Sequence, residues 1–179
     1  IIVTAKGLSG GYAPLGAVLV SERIERTFLD AGQSFVHGYT YQAHPVACAA
    51  GLAVLRIIER ENLIEAADIQ GEYFFARLNS LKAKHPIVGD VRGAGLLAGI
   101  ELVEDRVNRT PFDPSVDLSG EIVKAAFERG IMVYPCNRDA EHGDQFLISP
   151  PLIVTRDDID EIVERLDLAL GDLASGISA

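Results

Sequence analysis

A lysine at the end of a short apolar run is the feature that most constrains this sequence. The run is residues 1–4, and Lys6 follows it inside a glycine-rich segment, "TAKGLSGGYAPLG". A brief run of β-branched residues predicts a strand that is buried on both faces, as in the sheets of α/β proteins. We therefore expect Lys6 at the carboxyl end of a buried strand, where such sheets bind their ligands.

A lysine at that position has a specific chemical use. Partial desolvation disfavours the charged ammonium, and the neutral amine is a nucleophile towards an aldehyde. Glycines beside it let the backbone approach a flat ligand or a phosphate. Two alternatives remain, because most lysines are solvated surface charges and the glycines could form an ordinary loop. The order G-x-x-x-x-G-K-[ST] is absent here, which disfavours a nucleotide-binding P-loop.

A second segment, "SFVHGYTYQAHP", precedes a helix that we expect to begin at Pro45. The N–H of Gly38, together with the N–H and hydroxyl of Thr40, could donate to the oxygens of a phosphate at this helix start. The alternative is that Thr40 only satisfies local backbone in a turn. For His37 and His44 the structural interpretation is favoured over a catalytic one.

Composition excludes several classes of partner. The 179 residues are 48% hydrophobic, which is enough for a globular core. A net charge of -10 argues against nucleic acid or an anionic membrane surface as a partner. No apolar run approaches the roughly 20 residues that span a bilayer. Cys48 and Cys136 form no disulfide framework and fit a reduced, cytoplasmic location. Because the chain opens inside a strand pattern, we expect a piece of a longer protein.

The pattern of elements changes along the chain. A strand, loop, second buried strand (residues 16–20), short helix and long helix are expected first, and we place a domain boundary between residues 62 and 63. The remainder, residues 63–179, predicts a small α+β domain. We expect Gly130 to end one of its helices, and Thr155 with Asp158 to form a capping pair. After the boundary we predict helices at 64–83, 118–129 and 157–173, and strands at 96–103, 131–134 and 146–149.

Four segments together resemble one enzyme family. "IIVTAKGLSGGYAPLGAVLVS" and "HGYTYQAHPVACAAGLAVL" are similar, in order and spacing, to the lysine and phosphate segments of class III (ω-type) aminotransferases, which use pyridoxal 5'-phosphate. "VRGAGLLAGIELV" and "GDQFLISPPLIVTRDDIDEIVERL" resemble the C-terminal domain of that family. The resemblance covers essentially the whole chain, and four segments in register make it specific.

The resemblance implies a fold type I enzyme that works as a homodimer with shared active sites. Residues 1–62 would be the C-terminal part of the large α/β domain that binds the cofactor. Lys6 would bond covalently to the cofactor and act as general base and acid. Thr40, with Gly38 and Tyr39, would bind the phosphate of the cofactor held by the other subunit. The family's acidic partner of the pyridine nitrogen and its ring-stacking aromatic precede Ile1.

Substrate choice is indicated by one departure from the family. In ornithine-type members an arginine stands in the strand before the paired prolines, where this sequence has Leu147 in "FLISPP". Leucine cannot clamp a carboxylate. The expected reaction is ping-pong transfer from an amine or ω-amino acid to a keto acid, with pyruvate favoured. An aminomutase of the glutamate-1-semialdehyde type and a non-catalytic module of the same fold remain alternatives. Arg138 is a weaker candidate for a substrate contact.

Overall fold

The computed structural model describes residues 1–136 and 143–177. The chain divides into two compact units, Ile1–Leu63 and Ile64–Ala179, which we call the N-terminal and C-terminal units. Arg138 lies outside the described residues. Among the residues that are described, the helices are too short or too polar to cross a membrane.

The N-terminal unit combines a two-stranded antiparallel sheet with two helices. Ile2 pairs with Leu19 at one end of the sheet and Thr4 with Ala17 at the other. A 3-10 turn, Lys6–Ser9, follows the first strand. The remaining elements are β1 (Ile2–Thr4), β2 (Ala17–Leu19), α1 (Glu22–Asp30) and α2 (Pro45–Arg60).

The predicted burial of both strands is wrong for this chain. Ile2 is 64% exposed, Val3 74% and Val18 65%. Each strand pairs only with the other, and the pairing is antiparallel. Among the described residues no further strand or helix layer shields the two faces, so their apolar side chains stay in contact with solvent.

Helix α2 begins as the sequence predicts, with Pro45 in its first turn, where the missing N–H costs nothing. Its small residues allow close packing on the loop that follows β1. A Cβ at Gly51 would lie 2.5 Å from Leu15 Cδ2 and 3.5 Å from the carbonyl oxygen of Leu8. Ala47, one turn earlier, is only 6% exposed. The helix thereby supports the lysine-bearing loop from one side.

The C-terminal unit is an antiparallel sheet packed with helices. Its four strands are, in sheet order, β3 (Val88–Ala94), β4 (Leu97–Leu102), β6 (Asp144–Ile148) and β5 (Tyr134–Pro135). Each strand is antiparallel to its neighbour. Strand β3 is absent from the elements expected from sequence, and only the last residue of the predicted strand 131–134 lies in β5. The α-helices are α3 (Leu63–Lys84), α4 (Leu118–Glu128) and α5 (Arg156–Ile177).

One face of this sheet carries the core. Ala98, Ile100 and Leu102 alternate along β4 and are almost completely buried, as the period of a strand requires. Phe74 and Leu78 of α3 join the same cluster and are fully shielded from solvent. Burying such a side chain stabilises the fold by about 1.5–3 kcal/mol. The intervening residues of β4, including Glu101, lie on the opposite face.

Two helix ends match the sequence expectations. The amide of Asp158 donates to Thr155 Oγ1 (3.2 Å), and the amide of Thr155 donates to Asp158 Oδ2 (2.9 Å), so the capping pair is confirmed at the start of α5. After α4, Gly130 adopts a φ of 82°, and its amide donates to the carbonyl of Phe127. The predicted stop at Gly130 is therefore also confirmed.

Candidate active site

Lys6 is the first residue of the 3-10 turn that follows β1. Its φ of 51° places a non-glycine residue in the left-handed region, a conformation that persists only where the surroundings impose it. Successive turns impose it here, since the amide of Leu8 donates to the carbonyl of Ala5 (3.0 Å) and that of Gly10 to Gly7 (2.9 Å). The sequence contains no sign of this strained backbone.

The Lys6 side chain is exposed, and no hydrogen bond or ion pair of its ammonium group occurs within the described part of the chain. The expected desolvation of the amine is therefore not met by these residues, because the strand that leads to it is itself uncovered. A free amine on a constrained backbone is nevertheless what covalent attachment to an aldehyde requires.

The loop around Lys6 is anchored on one side and open on the other. Ser9 is 1% exposed, and its hydroxyl donates to the carbonyl of Ala13. A Cβ at Gly7 or at Gly11 would meet no atom within 4 Å. Nothing within 4 Å of these two glycines would obstruct a ring beside the lysine, so the residues present fit the pyridoxal 5'-phosphate that the sequence resemblance implies.

The second predicted segment, which we call the arm, has no regular secondary structure over residues 34–39 and forms a turn at residues 40–43 before α2. The rings of Phe28, Phe35, His37 and Tyr39 contact one another in sequence, with centroids 5.2–5.7 Å apart. Both histidine contacts are ring packing, in keeping with a structural role for His37. Gly38, Tyr39 and Thr40 are all exposed.

Thr40 does not use its hydroxyl in the local turn. The turn bond at this point joins backbone atoms, the amide of Gln42 donating to the carbonyl of Tyr39 (2.9 Å). Within the described residues no partner occurs for the Thr40 hydroxyl, so it is available to a ligand. No hydrogen bond or ion pair there joins Lys6 to Gly38, Tyr39 or Thr40.

Leu147 lies in β6, opposite Gly99 of β4 and Tyr134 of β5. A Cβ at Gly99 would lie 3.5 Å from Leu147 Cδ2, so the leucine covers the small residue beside it. Arg92, one strand further, is engaged with Glu101 (2.7 Å) and Asp90 (3.2 Å) and serves a structural ion pair. No group of three potential metal ligands occurs among residues 1–136 and 143–177.

Comparison with known protein families identifies relatives of this chain. The model of the class III aminotransferases matches residues 1–170. An uncharacterized aminotransferase, y4uB, of Sinorhizobium fredii is 42% identical over 173 residues, which are 95% of this chain and 36% of that protein. A diaminobutyrate–2-oxoglutarate transaminase of Halomonas elongata is 38% identical over 99% of this chain and 38% of its own length. A taurine–pyruvate aminotransferase of Bilophila wadsworthia is 38% identical over 94% and 38%.

Solved structures agree with the sequence relatives. A transaminase of the marine bacterium Virgibacillus superposes with a TM-score of 0.93 at 31% identity, over 98% of this chain and 39% of that one. An amine transaminase of an uncultivated Pseudomonas species, in its PLP-bound form, gives 0.85 at 38% identity, over 96% and 38%. The chain thus spans about two fifths of the length of the proteins it matches. It belongs to the class III aminotransferase family, and its fold is that of the C-terminal portion of a fold type I PLP-dependent transaminase.

Proposed function

We propose that the protein is a PLP-dependent aminotransferase that moves an amino group from an amine or ω-amino acid to a keto acid, with pyruvate as the favoured acceptor. The observation that carries the proposal is the free amine of Lys6 on a constrained turn beside open space. Membership of the class III family supports it. In this proposal residues 1–62 complete the large cofactor-binding domain, residues 63–179 form the small domain, and the enzyme is a cytoplasmic homodimer.

Lys6 has two roles in the proposed reaction. Its Nζ would hold the cofactor covalently, and as a free amine the same atom would take the proton from the donor carbon and deliver it to a carbon of the cofactor. Bound pyridoxal phosphate supplies the aldehyde and a ring that accepts the electron pair left by deprotonation. The 3-10 turn fixes where the lysine starts, and the open space at Gly7 leaves it room to move.

The arm before α2 supplies the anion contacts. The hydroxyl and N–H of Thr40, with the N–H of Gly38, donate to the cofactor phosphate, and Tyr39 lies between them. As the family resemblance implies, the proposed site is shared, with the arm serving the cofactor of the other subunit. Transfer is ping-pong: the carbonyl product leaves before the keto acid enters.

The proposal is tested by borohydride reduction of the full-length holoenzyme, followed by peptide mass mapping. We expect a pyridoxyl-phosphate adduct on the peptide that contains Lys6, while the peptides that contain Lys82 and Lys124 remain unmodified. An intact dimer that carries no adduct on Lys6, with cofactor in excess, would overturn the proposal and leave the binding-module alternative.

The acceptor requires a separate measurement, because the named relatives differ in theirs: one is a taurine–pyruvate and one a diaminobutyrate–2-oxoglutarate enzyme. Leu147 favours pyruvate, since it offers no cation for a second carboxylate. We expect a higher kcat/KM with pyruvate than with 2-oxoglutarate for a common amine donor. The reverse order would reject pyruvate as the main acceptor. Turnover without any external acceptor would indicate an aminomutase instead.

A further inference from the structure

The C-terminal unit contains a polar cleft that is lined by its own residues alone. It has a volume of about 460 Å³ and lies among the end of α3, strands β3 and β4, and the loop after β4. Gly89 lines the cleft, and a Cβ there would lie 2.7 Å from Val103 Cγ1. A side chain at this position would therefore collide with Val103. The register of β3 against β4 shifts between Val88 and Asp90, and such a bulge re-aims the side chains that follow it.

The charges that line this cleft are mostly positive. Lys82, Arg92, Arg106 and Arg109 face two acids, Asp90 and Glu101, which leaves a net charge of +2. The whole chain carries -10. A local excess of positive charge inside a concave surface concentrates field lines and attracts anions.

Two of the four cations are already neutralised. Lys82 Nζ lies 3.0 Å from Asp90 Oδ1, and Arg92 lies between Asp90 and Glu101. The Lys82 ammonium lowers the pKa of the Asp90 carboxyl, although partial burial opposes the shift, so Asp90 stays ionised at neutral pH. These pairs line one side of the cleft and contribute no net charge.

The excess charge comes from Arg106 and Arg109. Arg106 donates from Nη2 to the carbonyls of Lys82 (2.7 Å) and His85 (2.6 Å), which fixes its guanidinium against the end of α3. Those carbonyls carry only partial charge, and in the described residues Arg106 Nε has no hydrogen-bond partner. Arg106 therefore holds a positioned cation that is not paired with a carboxylate among residues 1–136 and 143–177.

Arg109 is held in the cleft by a loop with its own hydrogen bonds. Asp105 Oδ1 accepts from the amides of Val107 (2.8 Å) and Asn108 (3.2 Å), so that carboxylate is engaged by the loop. Backbone bonds between Asp105 and Thr110 close it. Arg109 has a φ of 56°, which a non-glycine residue adopts only under constraint, and within the described residues no acidic partner of its side chain occurs.

We propose that this cleft binds a small dianion bearing phosphate, held by the guanidinium groups of Arg106 and Arg109. Two uncompensated cations match the charge of a phosphate monoester. The planar guanidinium group can donate two parallel N–H bonds to phosphate oxygens. The volume exceeds that of one phosphate and leaves space for a small organic group. None of the lining residues is among the proposed cofactor contacts, and the inference stands independently of the aminotransferase proposal.

The test is titration of inorganic phosphate into the full-length, cofactor-loaded protein by isothermal titration calorimetry, with ionic strength held constant by sodium chloride. Loading with cofactor keeps the proposed Thr40 site filled. Amide hydrogen exchange, with and without phosphate, localises binding. We expect saturable binding and slower exchange in the peptide that spans residues 105–110.

Substitutions that remove a positive or a negative charge from the cleft should change the phosphate affinity in opposite directions. Arg109→Asn removes the charge but tolerates left-handed backbone, and it should weaken phosphate binding by about tenfold, as expected for a hydrogen bond to a charged group. Asp90→Asn removes a negative charge from the wall and should tighten binding. Lys124→Asn, a matched exposed cation on α4, should leave the affinity unchanged. Arg106 is not altered because it also caps α3.

Three results would overturn the proposal. The first is an absence of saturable heat in the cofactor-loaded protein. The second is an equal effect of the Arg109→Asn and Lys124→Asn substitutions, which would indicate only general charge screening. The third is protection that falls outside residues 105–110.

Discussion

Single residues carry most of what the proposed site needs. The left-handed turn at Lys6 and the free hydroxyl of Thr40 are properties of individual positions. Sequence indicated both residues through their neighbours, since glycines surround Lys6 and a helix start follows Thr40. It could not indicate the φ of Lys6, because only the hydrogen-bonded turns on either side impose that conformation.

Thr40 gives the first prediction. Thr40→Ala should weaken pyridoxal phosphate binding by about 1.5–3 kcal/mol, the value of one hydrogen bond to a charged group. Thr40→Ser keeps the hydroxyl and is the matched control, expected to bind within a few-fold of the parent. Fluorescence titration of the apoprotein measures both. An unchanged dissociation constant for Thr40→Ala would return the hydroxyl to a local role.

Gly71 gives the second prediction, on stability. A Cβ there would lie 2.5 Å from the carbonyl oxygen of Gly95, because α3 packs directly on the turn between β3 and β4. Alanine normally favours a helix by about 1 kcal/mol over glycine, but the clash is with backbone that cannot rotate away. We expect Gly71→Ala to lower the free energy of unfolding by about 1 kcal/mol or more, measured by urea denaturation.

The control for Gly71 lies in the other long helix. A Cβ at Gly171 of α5 would meet nothing within 4 Å. Gly171→Ala should therefore raise the free energy of unfolding by about 0.5–1 kcal/mol, the ordinary helix gain. If the two substitutions shifted stability in the same direction, the close packing of α3 on the turn would not be limiting.

At the scale of elements, sequence predicted those with a regular period and a clear end. Helix α5 was predicted together with its capping pair, which marks where it begins. Strand β3 was missed for a physical reason: the bulge between Val88 and Asp90 breaks the two-residue alternation, and two glycines weaken the β signal. The burial of β1 was wrongly predicted because an apolar run shows only that a strand would be stable when buried. The layer that would bury it is not among the described residues.

The cap of α5 gives a prediction of pH dependence. The hydroxyl of Thr155, followed by its amide, lowers the pKa of the Asp158 carboxyl below its ordinary value of about 4. A lowered pKa in the folded state means that the stabilisation is complete above that ordinary value and is lost as the pH falls through the folded pKa. Asp158→Asn should therefore flatten the acid side of the stability curve. An unchanged acid slope, measured by thermal unfolding between about pH 3 and pH 6, would contradict this account.

At the scale of the whole molecule, burial is distributed unevenly. The core cluster lies entirely between Phe74 and Leu173, inside the C-terminal unit. In the N-terminal unit most apolar side chains of the strands and helices face solvent. We predict that a fragment of residues 63–179 unfolds cooperatively by circular dichroism, whereas residues 1–62 alone show no cooperative transition. A cooperative transition in the shorter fragment would require a core that burial does not show.

The uncovered pair β1–β2 also makes this part of the chain prone to aggregate. Each strand has one edge without a hydrogen-bonded neighbour among the described residues, and its side chains are largely apolar. Unpaired apolar edges are templates for intermolecular β-pairing. A proteolytic nick that released this part of the chain would therefore yield a species prone to aggregate.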